Sequence, residues 1–238
     1  VDGSAYWMSE NGFFRYTGKL ESLPCLVEDY VYDDINTVPR NHICAGLNNL
    51  FGEVTWFYPG SGAASNNRSV TYNYMDSTPE RPVWTTSSLA RSAWQDSAVF
   101  GKPHGTEYDA DATSDATVGN TDGVTTYFEH ETGVNQIKAG SSSAIAASIE
   151  SGDFDINQQG LGGDGDVIMK IRRILPDFLQ QTGDATVTLN LKNYPTDSQA
   201  SSSLGPFTAT TSTTKIDTRA RARAISLKVS NDSTNQHW

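Results

Sequence analysis

The stretch GEVTWFYP (52–59), followed after a polar loop by SVTYNYMDSTPERPVW (69–84), alternates aromatic runs with turn-forming residues. Aromatic and β-branched residues favour strands, whereas Gly, Pro, Asn, Asp and Ser favour turns. The expected order is strand, loop, strand, turn and a short strand that carries Trp84. This order is typical of one β-propeller blade, a meander of four antiparallel strands.

Similar units lie on both sides of this stretch. In SAYWMSENGFFRYTGKLESLPC (4–25), the Gly12 turn and a second turn at 17–19 separate three short strands. GVTTYFEHETG (123–133) is a weaker unit, and the repeats differ in length, so they are blade-like without a fixed period. Residues 31–35 form a short helix or an extended connector, and the polar, acidic segment 101–122 is a long loop. The expected core aromatics are Trp7, Phe14, Trp56, Tyr72 and Trp84.

The second half of the chain alternates apolar and polar residues strictly. In TVTLNLKNY (186–194), Val187, Leu189 and Leu191 fall on one face and polar residues on the other. This period of two predicts half-buried antiparallel strands, and several of them joined by Gly, Pro and Asp turns predict a sandwich. The predicted fold is therefore all-β, with a partial propeller over residues 1–140 and a β-sandwich-like region over 141–238.

The ending TRARARAISLKVSN (218–231) contains a row of three arginines, Arg219, Arg221 and Arg223. In a continuous strand they would share a face with Ile225 and Leu227. Either a bulge changes the register, or the strand extends past the core and offers its arginines to a neighbour. The row is predicted to be an edge whose arginine stems cover apolar surface or a salt-bridged interface, with a DNA contact as the minority alternative.

Metal and catalytic sites are weakly supported. Four aspartates near glycine-rich turns could supply oxygen ligands to a hard cation, but aspartate and glycine are also ordinary turn formers, so we predict no metal. The four aspartates are Asp153, Asp155, Asp164 and Asp166. The four histidines are scattered without the spacing of a zinc motif and are expected at the surface or partly packed. They are His42, His104, His130 and His237.

No nucleophile elbow or phosphate-binding loop is visible, so we predict no enzyme and no cofactor. Cys25 and Cys44 are expected to be two buried free thiols rather than one disulfide. The formal net charge of −11 argues against broad coating of nucleic acid, which requires clustered cations. No apolar run approaches the roughly 18 residues of a membrane span. The chain opens with Val-Asp-Gly, and we expect it to be a fragment of a longer polypeptide.

Several strings resemble one family. The stretch SAYWMSENGFFRYTGKLESLPCLVEDYVYDDIN (4–36), the unit GEVTWFYP…YNY…W, and the ending IESGDFDI…GDGD…IRRILPDF…TRARARAISLKVSN are similar to tailed-bacteriophage short-tail proteins of the nozzle or hub kind. The acidic segment 101–122 does not strengthen this resemblance.

This resemblance implies a propeller-bearing structural protein that forms a ring, usually a hexamer, beneath the portal and adaptor. Such a ring lines or closes the DNA exit channel, and genomic DNA passes without sequence-specific binding. The implied location is the virion tail, assembled in the host cytoplasm, without membrane insertion and without enzyme activity.

Two other function classes stay open. Exposed Trp and Tyr beside polar loops can stack on sugars, so a carbohydrate- or receptor-binding module is the alternative, tested at Trp56 or Trp84. A propeller glycosidase is the third possibility because carboxylates are numerous, although nothing points to a particular pair.

Overall fold

Antiparallel strands dominate the fold, which is all-β as predicted. Contacts between residues divide the chain into two units, Val1–Thr132 and Gly133–Trp238. This division precedes the predicted boundary at 140/141, because residues 135–138 pair with residues 141–144 in one hairpin that belongs to a single unit. The computed structural model describes residues 3–109, 123–138, 140–156, 167–194 and 202–238.

The described part of the first unit contains three antiparallel meanders in chain order. The first meander has the order β1–β2–β3, with strands β1 (Ala5–Ser9), β2 (Gly12–Tyr16) and β3 (Leu20–Leu23). The second has the order β4–β5–β6–β7, with strands β4 (Cys44–Asn48), β5 (Glu53–Tyr58), β6 (Arg68–Thr78) and β7 (Arg81–Ser87). The third has the order β8–β9–β10, with strands β8 (Ala93–Gln95), β9 (His104–Asp109) and β10 (Val124–Glu129). The helices are α1 (Glu28–Asp34), a 3-10 turn (Arg40–His42) and α2 (Ser97–Phe100).

Two expectations about connectors are resolved by these elements. Residues 31–35 belong largely to a helix, α1, rather than to an extended connector. The segment 101–122 is not a loop throughout, because strand β9 pairs with β10 along its full length. Residues 110–122 of that segment lie outside the described part of the chain.

An aromatic core joins the first two sheets of this unit to helix α1. Trp56 is only 2% exposed, Tyr72 is buried beside it, and Trp84 packs against both. The prediction was wrong for Trp7 and Phe14. They pair across β1 and β2 on the opposite face of the sheet, where their rings stack with centroids 5.8 Å apart.

The neighbouring residue Phe13 takes the inward place expected of Phe14. Phe13 is fully buried, and its ring centroid lies 5.0 Å from that of Trp56. Side chains alternate across a strand, so an inward Phe13 places Phe14 on the other face. The turn before it is tight, and Gly12 has a φ of 118° that L side chains rarely adopt.

The second unit contains a hairpin and two further sheets. The hairpin pairs β11 (Asn135–Lys138) with β12 (Ser141–Ala144). A four-stranded sheet has the order β13–β18–β15–β16, and a two-stranded sheet pairs β14 with β17. The strands of these sheets are β13 (Ala147–Glu150), β14 (Met169–Ile174), β15 (Ala185–Lys192), β16 (Ser202–Ala209), β17 (Ile216–Ala222) and β18 (Ala224–Asn231).

Apolar side chains from both sheets of the second unit meet in one core. Met169 and Ala220 of the two-stranded sheet pack with Leu189 and Ile225 of the four-stranded sheet. Packing of this kind is what a sandwich requires. The alternation noted in the sequence is borne out on β15, where Leu189 is buried and Asn190 is not. In the described residues, no helix is long and apolar enough to cross a membrane.

Candidate functional site

Strand β17 carries the first two arginines of the row, Arg219 and Arg221, on its outer face. Arginine and alanine alternate along this strand, and neighbouring side chains point to opposite faces. Ala220 is only 1% exposed and Ala222 is fully buried, whereas Arg219 and Arg221 are exposed. The small alanines therefore pack in the core between the two sheets, and the two guanidinium groups face outward.

A change of register within this row was one of the two alternatives that the sequence left open, and the structure contains one. The chain bends at Arg223, which lies between β17 and β18, and the two strands belong to different sheets. The bend restarts the alternation, so Ile225 is buried although it has the same parity as Arg221. Arg223 itself is half-buried, and its backbone N–H donates to the carbonyl oxygen of Lys192 at 3.1 Å.

Strand β14 adds more cations beside the arginine row. Lys170 lies directly opposite Arg221 in the antiparallel pairing, and both are exposed. The register shifts between Ile171 and Arg173, and Arg172 at this shift is also exposed. We call Lys170, Arg172, Arg219 and Arg221 the basic face.

One end of the same two-stranded sheet is partly neutralised by a carboxylate within the chain. The Arg173 Nε donates to the carboxylate of Asp217 at 2.8 Å, and Lys215 Nζ lies 3.2 Å from the other carboxylate oxygen. These two donors lower the pKa of Asp217, with the Arg173 hydrogen bond as the larger cause. No equivalent ion pair to any of the four side chains of the basic face occurs among the described residues.

The two units differ sharply in charge. Residues 1–132 contain 18 Asp and Glu but only 7 Lys and Arg, which gives −11, the whole net charge of the chain. Residues 133–238 contain ten of each kind and are neutral overall. The basic face therefore lies in the neutral unit, and the excess carboxylates lie in the other.

The four aspartates considered for metal binding do not form a described metal site. The carboxylate of Asp153 forms a salt bridge with Lys192 Nζ at 2.6 Å, so the positive charge beside it is already supplied by lysine. Asp164 and Asp166 lie outside the described residues. Within the described ranges, no group of three or more metal-ligating side chains was found, and Asp155 therefore has no such group around it.

A buried polar junction in the first unit was missed by the sequence analysis. Arg91 is only 3% exposed, and its Nε donates to His130 Nε2 at 2.9 Å. Its guanidinium carbon lies 4.1 Å from the centre of the Phe128 ring, and Glu107 lies 3.5 Å from Nη1. Arg91 and His130 are far apart in sequence and belong to no motif, so no local signal marks the pair.

The junction also ties Arg91 to the second sheet of the first unit. The side-chain amide of Asn66 donates to the carbonyl oxygens of both Arg91 and His42, at 2.9 and 2.7 Å. A Cβ atom on Gly46 would lie 2.6 Å from the Trp94 ring, so only glycine permits this approach of β4 to β8. The junction therefore braces two meanders against each other.

Burial changes the acid–base properties of the junction. Burial lowers the pKa of His130 to about 4, and the nearby positive charge of Arg91 contributes to the same shift. Burial also lowers the pKa of Arg91 to about 10. At neutral pH, His130 is therefore a neutral acceptor for the Arg91 Nε–H.

The cysteines are free thiols as predicted, but they are half-buried rather than buried. Cys25 and Cys44 are free and half-buried, and burial raises the pKa of Cys25 to about 11. A thiol with a raised pKa forms little thiolate and is a poor nucleophile at neutral pH. Of the histidines, His42 is exposed, and His104, His130 and His237 are half-buried.

The aromatic residues named for sugar stacking lie in the core. Trp56 is buried, and the Trp84 indole N–H donates to the Pro24 carbonyl oxygen at 2.8 Å. By contrast, Trp7 is 36% exposed and stacks with Phe14 on the outer face of the first sheet. An aromatic contact with a ligand would therefore involve Trp7 and not Trp56.

A surface groove in the second unit lacks the pair of carboxylates that a glycosidase requires. It has a volume of about 280 Å³ and is lined by Pro176, Asp177, Phe178, Gln181, Thr210, Thr211 and Thr213. Hydrolysis of this kind ordinarily uses two carboxylic acids on either side of the scissile bond. Asp177 contributes the single carboxylate in this lining, so the groove supplies no pair.

A scan of protein-family models gave no match to this chain, and a search of curated proteins found none with significant sequence similarity. The resemblance to short-tail proteins therefore stays a prediction based on the strings quoted above.

Proposed function

We propose that this chain is a structural component of a bacteriophage tail, a nozzle or hub ring that forms or gates the DNA exit channel. The observation that carries the proposal is the order of the first unit. Three meanders follow one another along the chain, and aromatic side chains pack between the first two. Successive blades of a propeller pack in this way, although the described meanders do not close a ring.

The same proposal includes the assembly, the channel and the interface. The ring is a hexamer beneath the portal and adaptor, and genomic DNA passes through it without sequence-specific contacts. An excess of carboxylates suits such a channel, because like charges keep phosphates from binding to its wall. Arg219, Arg221 and Arg223 are proposed as interface residues, and no enzyme activity, cofactor or metal is proposed.

Electron microscopy of the assembled protein tests the proposal. We expect negative-stain images of purified chain to contain ring-shaped particles of one size. Antibody labelling of intact phage should mark the end of the tail. Homogeneous monomers together with unlabelled virions would contradict the proposal.

Exposed aromatic surface favours one second candidate, a carbohydrate- or receptor-binding module. Trp7 and Phe14 form a stacked pair on the outside of the first sheet, and flat aromatic rings stack on sugar rings. Glycan-array binding that is lost on Trp7→Ala and retained on Trp84→Phe would support this candidate. The absence of any glycan binding by the natural protein would exclude it.

A further inference from the structure

We propose that the basic face docks on exposed carboxylates of the described residues 3–109 and 123–132 in a second copy of this chain. This inference rests on the proposed function, because it names the contact through which subunits of the ring associate. It also adds Lys170 and Arg172 to the arginines predicted from sequence and removes Arg223, which is half-buried and has further contacts.

The first argument is that the basic face is unfavourable in an isolated chain. Lys170 and Arg221 lie directly opposite each other across the β14–β17 pair. Like charges at directly opposite positions destabilise a sheet. Asp217 offsets the charge of Arg173 and Lys215 at the other end, but no described carboxylate pairs with Lys170 or Arg221. An external anionic group is the simplest way to offset this repulsion.

The second argument is geometric. Alternate residues on a strand are about 6.8 Å apart, so Arg219 and Arg221 present two guanidinium groups in a short row on one side. Each planar guanidinium can hold a carboxylate through two parallel hydrogen bonds. A row of this kind fits several carboxylates on a protein surface.

The third argument concerns the source of those carboxylates. All of the net negative charge lies in residues 1–132, whereas residues 133–238 are neutral and have no carboxylates in excess. The described residues of the first unit contain 14 Asp and Glu against 7 Lys and Arg. A second copy of the same chain therefore offers carboxylates in excess at the same concentration as the basic face. Duplex DNA is the alternative anionic occupant, and the test below distinguishes it from a second copy.

Sedimentation velocity of the full chain over a range of concentrations, at low and high salt, tests this contact. We expect the natural chain to associate at low salt and to dissociate at high salt, because salt screens exposed charges. The double variant Arg219→Glu/Arg221→Glu should associate at least about tenfold more weakly, the effect of losing roughly 1.4 kcal/mol of charge complementarity.

A matched control keeps the change in net charge the same. Lys19→Glu/Arg81→Glu also reverses two exposed cations, but in the acidic unit, and should not weaken association, because it removes no cation from the basic face. Circular dichroism melting should show that the basic-face variant still folds. Equal association of the natural chain and the basic-face variant would overturn the inference.

Two further outcomes separate this inference from other possibilities. Binding of the natural chain to duplex DNA that is lost in the basic-face variant, with association unchanged, would overturn it in favour of nucleic acid. Rings formed equally well by the variant would leave the proposed function standing and refute the contact. Association that is lost in the variant, without rings in either protein, would support the contact and refute the ring.

Discussion

The two units of this chain stabilise short β-strands by different means. The first packs large aromatic rings between meanders, as in the contact of Phe13 with Trp56, and includes the buried Arg91–His130 junction. The second packs aliphatic residues and small alanines, such as Leu189 and Ala220, between two sheets. The first carries the whole net charge of the chain, whereas the second is neutral.

This difference shows that core composition and surface charge can vary independently along an all-β chain. A ring side chain buries more area than an aliphatic one, so a few aromatics stabilise strands of four to six residues. Strand β15 instead buries aliphatic side chains along one face and contains no aromatic residue. Variants that affect one kind of core should therefore leave the other largely intact.

The largest expected effect tests the aromatic core. Trp56→Ala should lower the free energy of unfolding of the first unit by about 3–5 kcal/mol, the usual cost of emptying a large core site. The half-exposed Trp7→Ala is the matched control and should cost less. Tryptophan fluorescence during urea unfolding reports mainly on this unit, because four of the five tryptophans lie in it and only Trp238 lies in the second unit. Equal losses for both variants would remove the distinction between the two faces of the first sheet.

The small-residue core of the second unit is tested by overpacking. Ala220→Leu should destabilise this unit by about 1–3 kcal/mol, because the added atoms must enter a filled space between two sheets. Arg219→Gln changes the adjacent, exposed position and should have little effect. Hydrogen exchange of β15 and β17 amides reports on this unit directly. Faster exchange in the first unit as well would show that the two cores are not independent.

Acid should weaken the first unit more than the second through His130. Its pKa falls from the ordinary 6.5 to about 4 in the folded chain, so the unfolded chain binds this proton first. Stability is therefore complete above pH 6.5 and is lost as the pH falls towards 4, by roughly 1–2 kcal/mol after allowance for partial exposure.

The pH effect is measured from urea midpoints between pH 7 and pH 4, a range set by the linkage argument above. His130→Gln should flatten this dependence, whereas the exposed His42→Gln should not. An unchanged slope in His130→Gln would assign the acid sensitivity to other groups.

The smallest expected effect concerns the basic face. Lys170 and Arg221 are two positive charges at directly opposite positions of the β14–β17 pair. Arg221→Glu replaces this repulsive pair with an attractive one, which should stabilise the second unit by about 0.2–1 kcal/mol. The same change should weaken association between chains. Melting and sedimentation of the same sample compare the two effects. A loss of stability in the isolated unit would mean that Arg221 supports folding and is not an assembly residue.

Local sequence patterns were sufficient for most elements. The glycine turn at Gly12 and the alternation of Val187, Leu189 and Leu191 predicted strands that the structure contains. Turn chemistry and strand alternation depend on residues within a few positions of each other, so they can be read without a tertiary structure. The free state of Cys25 and Cys44 also agreed with the prediction.

What the tertiary structure decided is which face of each strand meets another sheet. Alternation alone could not tell that Phe13 points inward and Phe14 outward, because both faces of β2 carry aromatic or long side chains. It could not place the bend at Arg223, where the chain passes from one sheet to the other.

The same limit applies to the polar residues. The Arg91–His130 junction brings together residues that are distant in sequence, and Lys170 meets Arg221 only through strand pairing. The sequence by itself determined the all-β class, the turns, the strand alternation and the charge of each half, because these depend on local composition. Contacts between distant segments decided which residues are buried, where the chain passes from one sheet to the other and which cations form the basic face, because only folding brings those segments together.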